Sequence, residues 1–258
     1  MVGDNDKNVD ERLFLRSVAR ALQVLEVFGR SPHPLSLREI AQGAGIDKSA
    51  AQRIAQTLLT LGYMEKAPND AGLLPGKKLL DRSFDYLRTN PLIERASPVL
   101  LALREATGER VDLSLFDGTS IIYALRLQSK RETFYATLSG RRIPAYATSG
   151  GRCCMAHLPD ETVRDLLESS QRKALTSKTI IDLDAILLKI EQARNDGYAC
   201  ALEESLIGEV VIAASITTNT GEPIGAVHIA ASLSEWEPEE FSRKFAPLAI
   251  EAARAISG

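Results

Sequence analysis

Lys48, Ser49, Gln52, Arg53 and Gln56 have the residue types and the spacing for nucleic-acid contacts from one short stretch of chain. Lys and Arg can reach guanine edges or phosphate oxygens, and Gln can pair with adenine. Ser49 and the backbone amides at a helix start suit a phosphate oxygen. Arg38 and Lys66, on neighbouring elements, are further phosphate candidates. A second group, Cys153, Cys154 and His157, invites nucleophile-and-base chemistry, because a thiol needs an activating base nearby. However, Cys153 to His157 is an i, i+4 helical spacing, and Cys154–Met–Ala156 reads as core. The chain carries no P-loop, dinucleotide fingerprint or G-x-S-x-G elbow. A third group, Thr148–Ser–Gly–Gly151, precedes a helix. By themselves its glycines read as shaping a turn, although amides at a helix start can also suit an anion.

The elements that must position the first group are legible from their punctuation. Ser17 to Phe28 places Val18, Leu22, Leu25 and Phe28 at helical spacing, predicting an amphipathic helix that Ser31–Pro–His–Pro34 ends. Ser36 and Glu39 form a capping box that starts a short helix with Leu37, Ile40 and Ala41 inside. Gly43 and Gly45 end it and permit a tight turn. Asp47 caps a helix from Lys48 to Leu61, with Ile54, Leu58 and Leu61 as its expected inner face and Gly62 as its stop. The strand Tyr63–Lys66, the turn Pro68–Gly72 and Leu73–Leu74 then form a hairpin, in the position of a wing. Two short helices joined by a glycine turn, followed by a hairpin, constitute a winged helix-turn-helix over residues 11–76. Lys77 to Leu87 reads as a connecting helix within a linker at 77–90, and Asn90–Pro91 marks a boundary.

Residues 91–258 mix helices and strands without regular alternation, which predicts an α+β domain. Helices are expected at Leu92–Thr107, Gly150–His157, from Pro159, at Leu183–Asp196 and at Pro238–Ile256. Val111–Phe116 and Ser120–Arg126 flank Asp117–Gly118 as a hairpin, and Glu209–Thr217 and Pro223–Ala231 form a second strand pair. Thr133–Leu138 is a further expected strand, and Gly140–Pro144 an expected loop.

The composition, 45% hydrophobic and 25% charged over 258 residues, is that of a globular protein with room for two domains. The net charge of −3 is uneven: residues 11–90 carry 12 Lys and Arg against 8 Asp and Glu, and residues 91–258 carry 18 against 23. A basic front suits a polyanionic partner, and a solvated surface accounts for it almost as well. A polar N-terminus, three cysteines without a disulfide or zinc spacing, and no long apolar run place the expectation in the cytoplasm, with no membrane, cofactor or metal.

Ser17–Val–Ala–Arg–Ala21, Ser36–Leu–Arg–Glu–Ile–Ala41, Lys48–Ser–Ala–Ala–Gln–Arg–Ile54 and Leu61–Gly–Tyr–Met64 resemble the opening of IclR-type regulators, named for the isocitrate lyase regulator. The resemblance continues through Ile143 to Cys153, Gly197 to Glu204, Val211 to Ile216 and the final helix. It implies a winged helix, a linker helix and a GAF-like effector-binding domain. It also implies homodimers or homotetramers on double-stranded, roughly palindromic operator DNA. It implies a small organic acid effector in the second domain, near Ser149 and Gly150 and the C-terminal strands. Matched residue by residue, Val211, His228 and Ala230 fall at pocket positions where a Cys or hydroxyl residue is common. Ala201 falls where an acid is often found, and Tyr135 and Ile143 fall at apolar walls. These departures favour something larger and partly apolar, an aromatic or other small organic acid, with His228 as a hydrogen-bond donor or, alternatively, a strand histidine satisfied within the fold. Two other classes stay open at this level: a metabolite-binding protein whose helix-turn-helix makes protein contacts, and a Cys-dependent enzyme.

Overall fold

Caps fix the register of the first domain. In the computed structural model, which describes residues 12–128 and 139–258, Ser36 Oγ accepts from the Glu39 amide while Glu39 Oε2 accepts from the Ser36 amide at 2.8 Å. This reciprocal box starts α2 (Leu37–Ala44) after α1 (Arg16–Glu26). Gly45, at φ 64°, ends α2 in the left-handed conformation that glycine adopts without a Cβ penalty. Gly43 lies inside α2 rather than ending it. A Cβ there would come within 2.6 Å of Val27, so the residue permits close helix packing. Asp47 Oδ1 accepts from the Ala50 amide at 2.9 Å and starts α3 (Lys48–Leu61). Strands β1 (Met64–Lys66) and β2 (Leu73–Pro75) pair antiparallel as the wing, and Leu73 bridges back to Leu35.

Val24, Phe28, Leu35, Ile40, Ala55, Leu58, Met64 and Leu73 share one core. Two expected inner faces are corrected. Val18 and Leu22 are 52% and 55% exposed, because α1 buries Val24, with Val27 and Phe28 in the 3-10 turn that follows it. On α3, Leu61 is exposed, and the inward residues are Ala50, Ala51, Ala55 and Leu58. Small side chains at these positions let α3 pack close to its neighbours.

The chain divides into two units, one ending at Tyr86 and the other beginning at Leu87, so the division falls within α4 (Lys78–Thr89). In the second unit, α5 (Pro91–Thr107) leads to β3 (Arg110–Asp117) and β4 (Ser120–Leu127). Then come β5 (Arg142–Pro144), α6 (Ser149–Met155), α7 (Asp160–Ser169), α8 (Leu183–Asp196), β6 (Ala199–Leu202), β7 (Glu209–Thr217), β8 (Pro223–Ser232) and α9 (Pro238–Ile256). The six strands form one antiparallel sheet in the order β5-β4-β3-β8-β7-β6. β5 lies where a loop was expected, and the expected strand at Thr133–Leu138 lies outside the described residues.

Side-chain alternation assigns each sheet face a partner. Val111, Leu113, Val210, Ile212, Ile216, Val227 and Ile229 pack on α5 and α9 around Leu100, Phe241 and Phe245. The opposite face offers Ala199, Ala213 and Ala226 to α6 and α8, where Tyr146, Cys153, Cys154, Met155 and Ile190 complete a second core. Alanines on the sheet allow α6 to lie close. Arg152, with no exposure at all, anchors that helix. Its Nη1 and Nη2 donate to the two oxygens of Glu204 at 2.5 and 2.7 Å, and its Nε donates to the Tyr146 carbonyl. Glu204 also accepts from the Ile180 amide at 3.0 Å.

A buried ion pair is far costlier to break than to replace, because a lone partner stays charged in a dry site. Glu204→Ala is therefore expected to cost about 3–5 kcal/mol in urea unfolding, and Arg152→Met/Glu204→Leu distinctly less. A double variant as unstable as the single one would overturn this account.

Candidate functional site

Two surfaces gather the chemistry. On the first unit, Lys48, Ser49, Gln52, Arg53 and Gln56 all lie exposed on α3, Arg38 on α2 and Lys66 on β1. They lie opposite the face that buries Ala51, Ala55 and Leu58, as a helix reading a groove requires. Gln56 Nε2 lies 3.4 Å from Thr60 Oγ1, a weak tether on the same helix face.

The second site lies on the sheet face under α6. Asp112 on β3 is opposite His228 on β8 and opposite Arg126 on β4, so the three stand side by side. A bulge between Leu113 and Ser114 brings Tyr123 opposite Ser114 on this same face. Asp112 is fully buried and accepts from Arg110 Nε at 3.0 Å and from Arg126 Nε and Nη2 at 3.2 and 3.0 Å. Arg110 Nη1 pairs with Glu209 at 2.7 Å. Burial works against the Arg110 cation, but the Asp112 and Glu209 carboxylates outweigh it and hold its pKa above the usual range. Burial, helped by Asp112, also raises the Tyr123 phenol, so that side chain is neutral. Its ring carries the Arg126 guanidinium at 3.9 Å and meets the His228 ring at a centroid distance of 5.3 Å.

His228 is fully buried, and its Nε2 lies 2.7 Å from Ser114 Oγ. Burial pushes its pKa down to about 4, with Arg126 and Arg110 adding to the effect and Asp112 opposing it. The imidazole is therefore a neutral hydrogen-bonding group. Gly150 lies directly on it, and a Cβ there would stand 2.3 Å from His228 Cε1. The amide of Gly151 is already used, donating to Thr148 Oγ1 at 3.0 Å, and a Cβ on Gly151 would strike the Ala145 backbone. The turn thus serves close packing as well as capping. Among the described residues, four buried polar atoms lack a hydrogen-bond partner: Arg126 Nη1, Gln128 Nε2, Ser149 Oγ and His228 Nδ1.

Of the expected effector residues, Gly150 and His228 touch, and Ser149 precedes that contact. Ile143 packs with Ile121 and Tyr123. Val211 and Ala230 are paired neighbours, with Ala201 beyond Val211 and Arg110 beyond Ala230. Ala230, Arg110, Gln128, Glu209, Leu206 and Ile207 line a cavity of about 290 Å³. Tyr135 lies outside the described residues. Asp112, Ser114, Tyr123 and Arg126 went unremarked in the sequence. The available signal was Asp112 and Ser114 alternating with Val111, Leu113 and Leu115 in an apolar strand. The thiols do not meet a base: Cys153 and Cys154 donate to the carbonyls of Gly150 and Gly225, and His157 Nε2 pairs with Ser215 Oγ at 2.5 Å. Burial raises the Cys154 thiol well above its ordinary value.

The family model of the bacterial transcriptional regulator IclR C-terminal domain matches residues 84–258, and that of the IclR helix-turn-helix domain matches residues 17–68. The chain belongs to the IclR family. Its relatives within the IclR family include the Pca regulon regulatory protein of Pseudomonas putida, 29% identical over 244 residues, covering 94% of this chain and 83% of that protein. A transcriptional regulator structure from Rhodococcus sp. RHA1 matches at a TM-score of 0.78 and 29% identity, covering 94% of this chain and 97% of that one. An IclR homologue from Microbacterium hydrocarbonoxydans, complexed with 4-hydroxybenzoate, shares the fold at a TM-score of 0.73 and 22% identity, covering 93% and 97%. The match over residues 17–68 makes α2 and α3 part of the helix-turn-helix domain of this DNA-binding family. No helix among the described residues is long and apolar enough to cross a membrane.

The neutral His228 carries a pH signature. Above its ordinary pKa of 6.5 the imidazole is uncharged in both folded and unfolded chains. Between 6.5 and about 4 only the unfolded chain binds the proton, so stability falls as pH drops through that window, by on the order of 3 kcal/mol. His228→Gln is expected to flatten this part of the profile in urea unfolding at pH 7, 5.5 and 4.5. Parallel profiles for the two proteins would contradict it.

Proposed function

We propose that this chain is a ligand-controlled transcriptional regulator whose operator affinity is set by a small organic acid, aromatic in character, bound on the α6-facing side of the second domain. The observation that carries the reading is the set of orphaned buried polar atoms on and beside one sheet face, in a family of DNA-binding regulators. A buried polar group without a partner costs about 1–3 kcal/mol, which a ligand supplying the missing hydrogen bonds returns. The apolar neighbours Ile143, Val211 and Ala230 suit a hydrocarbon body between polar ends. The 4-hydroxybenzoate bound by the Microbacterium homologue supports an aromatic acid.

In this reading Lys48, Ser49, Gln52, Arg53 and Gln56 face the major groove, and Arg38 and Lys66 meet phosphates. Homodimers or paired dimers place two such helices on the half-sites of a palindrome. The effector acts by linkage: it shifts operator affinity only as far as it binds the DNA-competent and incompetent states unequally. Residues 77–90, which include all of α4, are the covalent link between the two sites.

Titration of a fluorescent operator fragment against salt, with and without aromatic acids, tests the whole reading. Selective binding that weakens steeply with salt and changes with one acid is expected. Binding indifferent to sequence and to every acid would sink the regulator assignment. Within that assay, Lys66→Ala should reduce the salt slope by about 1 and weaken all sequences alike. Gln52→Ala or Arg53→Ala should instead cost about 1–3 kcal/mol on the preferred sequence and relax its selectivity.

A further inference from the structure

Arg126 is bound differently from the other cation in its cluster. Arg110 has two carboxylates, Asp112 and Glu209, and its bonds to them are split between the two. Among the described residues Arg126 has only Asp112, which it grips side-on through Nε and Nη2, and it shares that carboxylate with Arg110. The remaining edge of its guanidinium, Nη1 with its two N–H groups, finds no partner among the described residues, although the side chain is only 2% exposed. A guanidinium is a pure donor whose planar edge matches an oxyanion. Nη1 therefore calls for an acceptor, and the positive charge calls for a negative one.

The His228 ring, with its orphaned Nδ1, packs on the same Tyr123 ring. Arg126 and His228 both touch the Tyr123 ring, so they stand within about 9 Å of each other. Ser149 Oγ sits beside Gly150, which rests on His228. A cation thus stands at one end of the face and neutral hydrogen-bonding groups at the other, with Tyr123 and Ile143 as apolar wall.

The geometry points to Arg126 as the group that recognises the carboxylate of the effector, through Nη1, with His228 Nδ1 and Ser149 Oγ taking a polar substituent at the far end of the ligand. This rests on the effector reading above and assigns the selectivity for an acid to one side chain. Asp112 then has a second consequence: by neutralising part of Arg126 it limits how tightly an acid is held.

The test is calorimetric titration of the full chain with benzoate, 4-hydroxybenzoate and 3,4-dihydroxybenzoate, each compared with its neutral amide. Wild type should bind an acid of this set and prefer it to the amide. Arg126→Gln should weaken the acid by roughly 10- to 100-fold, the effect of a charge-assisted hydrogen bond, and erase the preference while the amide holds. Asp112→Asn should tighten the acid, a gain that misfolding does not produce. An acid preference that survives in Arg126→Gln, or no tightening in Asp112→Asn, would overturn the assignment to Arg126. If the acids still shifted operator affinity in that case, the effector reading would stand without it. Failure of wild type to bind any acid of the set would remove both.

Discussion

The second domain depends on one buried charge pair. Arg152 and Glu204 meet without water, and each is satisfied beyond the pair, Arg152 by the Tyr146 carbonyl and Glu204 by the Ile180 amide. Only such completeness makes a desolvated pair tolerable. Because it is complete, the pair fixes two segments that the sheet alone would not. It holds α6 down on the alanine surface of β6, β7 and β8, and it holds the connection between β6 and β7. That connection is tied a second time, where Glu203, at φ 56°, accepts the Gly208 amide on Oε1. α6 in turn sets Ser149 and Gly150 against Ser114 and His228. The position of the polar face therefore follows from a pair that does not belong to it.

The polar face itself is a compromise between packing and recognition. A sheet face covered by a helix is ordinarily apolar, and β6 and β7 keep to that here with Ala199 and Ala213. The remainder carries Asp112, Arg110, Arg126 and His228, whose charges and dipoles largely answer one another. What they leave unanswered is confined to a few donor edges. A site built this way discriminates by leaving a small, directional deficit in an otherwise satisfied network. The neighbouring alanines and valine keep the walls featureless.

The sequence was most informative where local chemistry decides the structure. The capping box at Ser36 and Glu39, the Asp47 cap and the glycines at 45 and 62 are signals carried within a few residues, and the helices they bound were read correctly. The strands around Asp117–Gly118 and the C-terminal strand pair were legible for the same reason. The short strands β5 and β6 were not, because pairing to β4 and β7 rather than local propensity makes them strands. Leu61 and Val18 look like core by periodicity, yet they lie outside, because alanines carry most inner contacts of α3 and Val24 carries those of α1. The Arg110–Asp112–Arg126 cluster was invisible because register and a bulge bring it together from strands that the sequence alone does not align. His228 and Gly150 each stand out in the sequence, but their contact depends on how α6 lies over β8.

That contact has a consequence for descent as well as for structure. Nothing larger than glycine fits at position 150 while a histidine occupies position 228. The two positions are far apart in the chain, yet sterically they constrain each other. A lineage that shrinks residue 228 gains room for a side chain on α6. One that keeps the imidazole forgoes that room permanently. Among relatives the two columns should therefore change in concert, and a shift in ligand preference at one should leave its mark at the other.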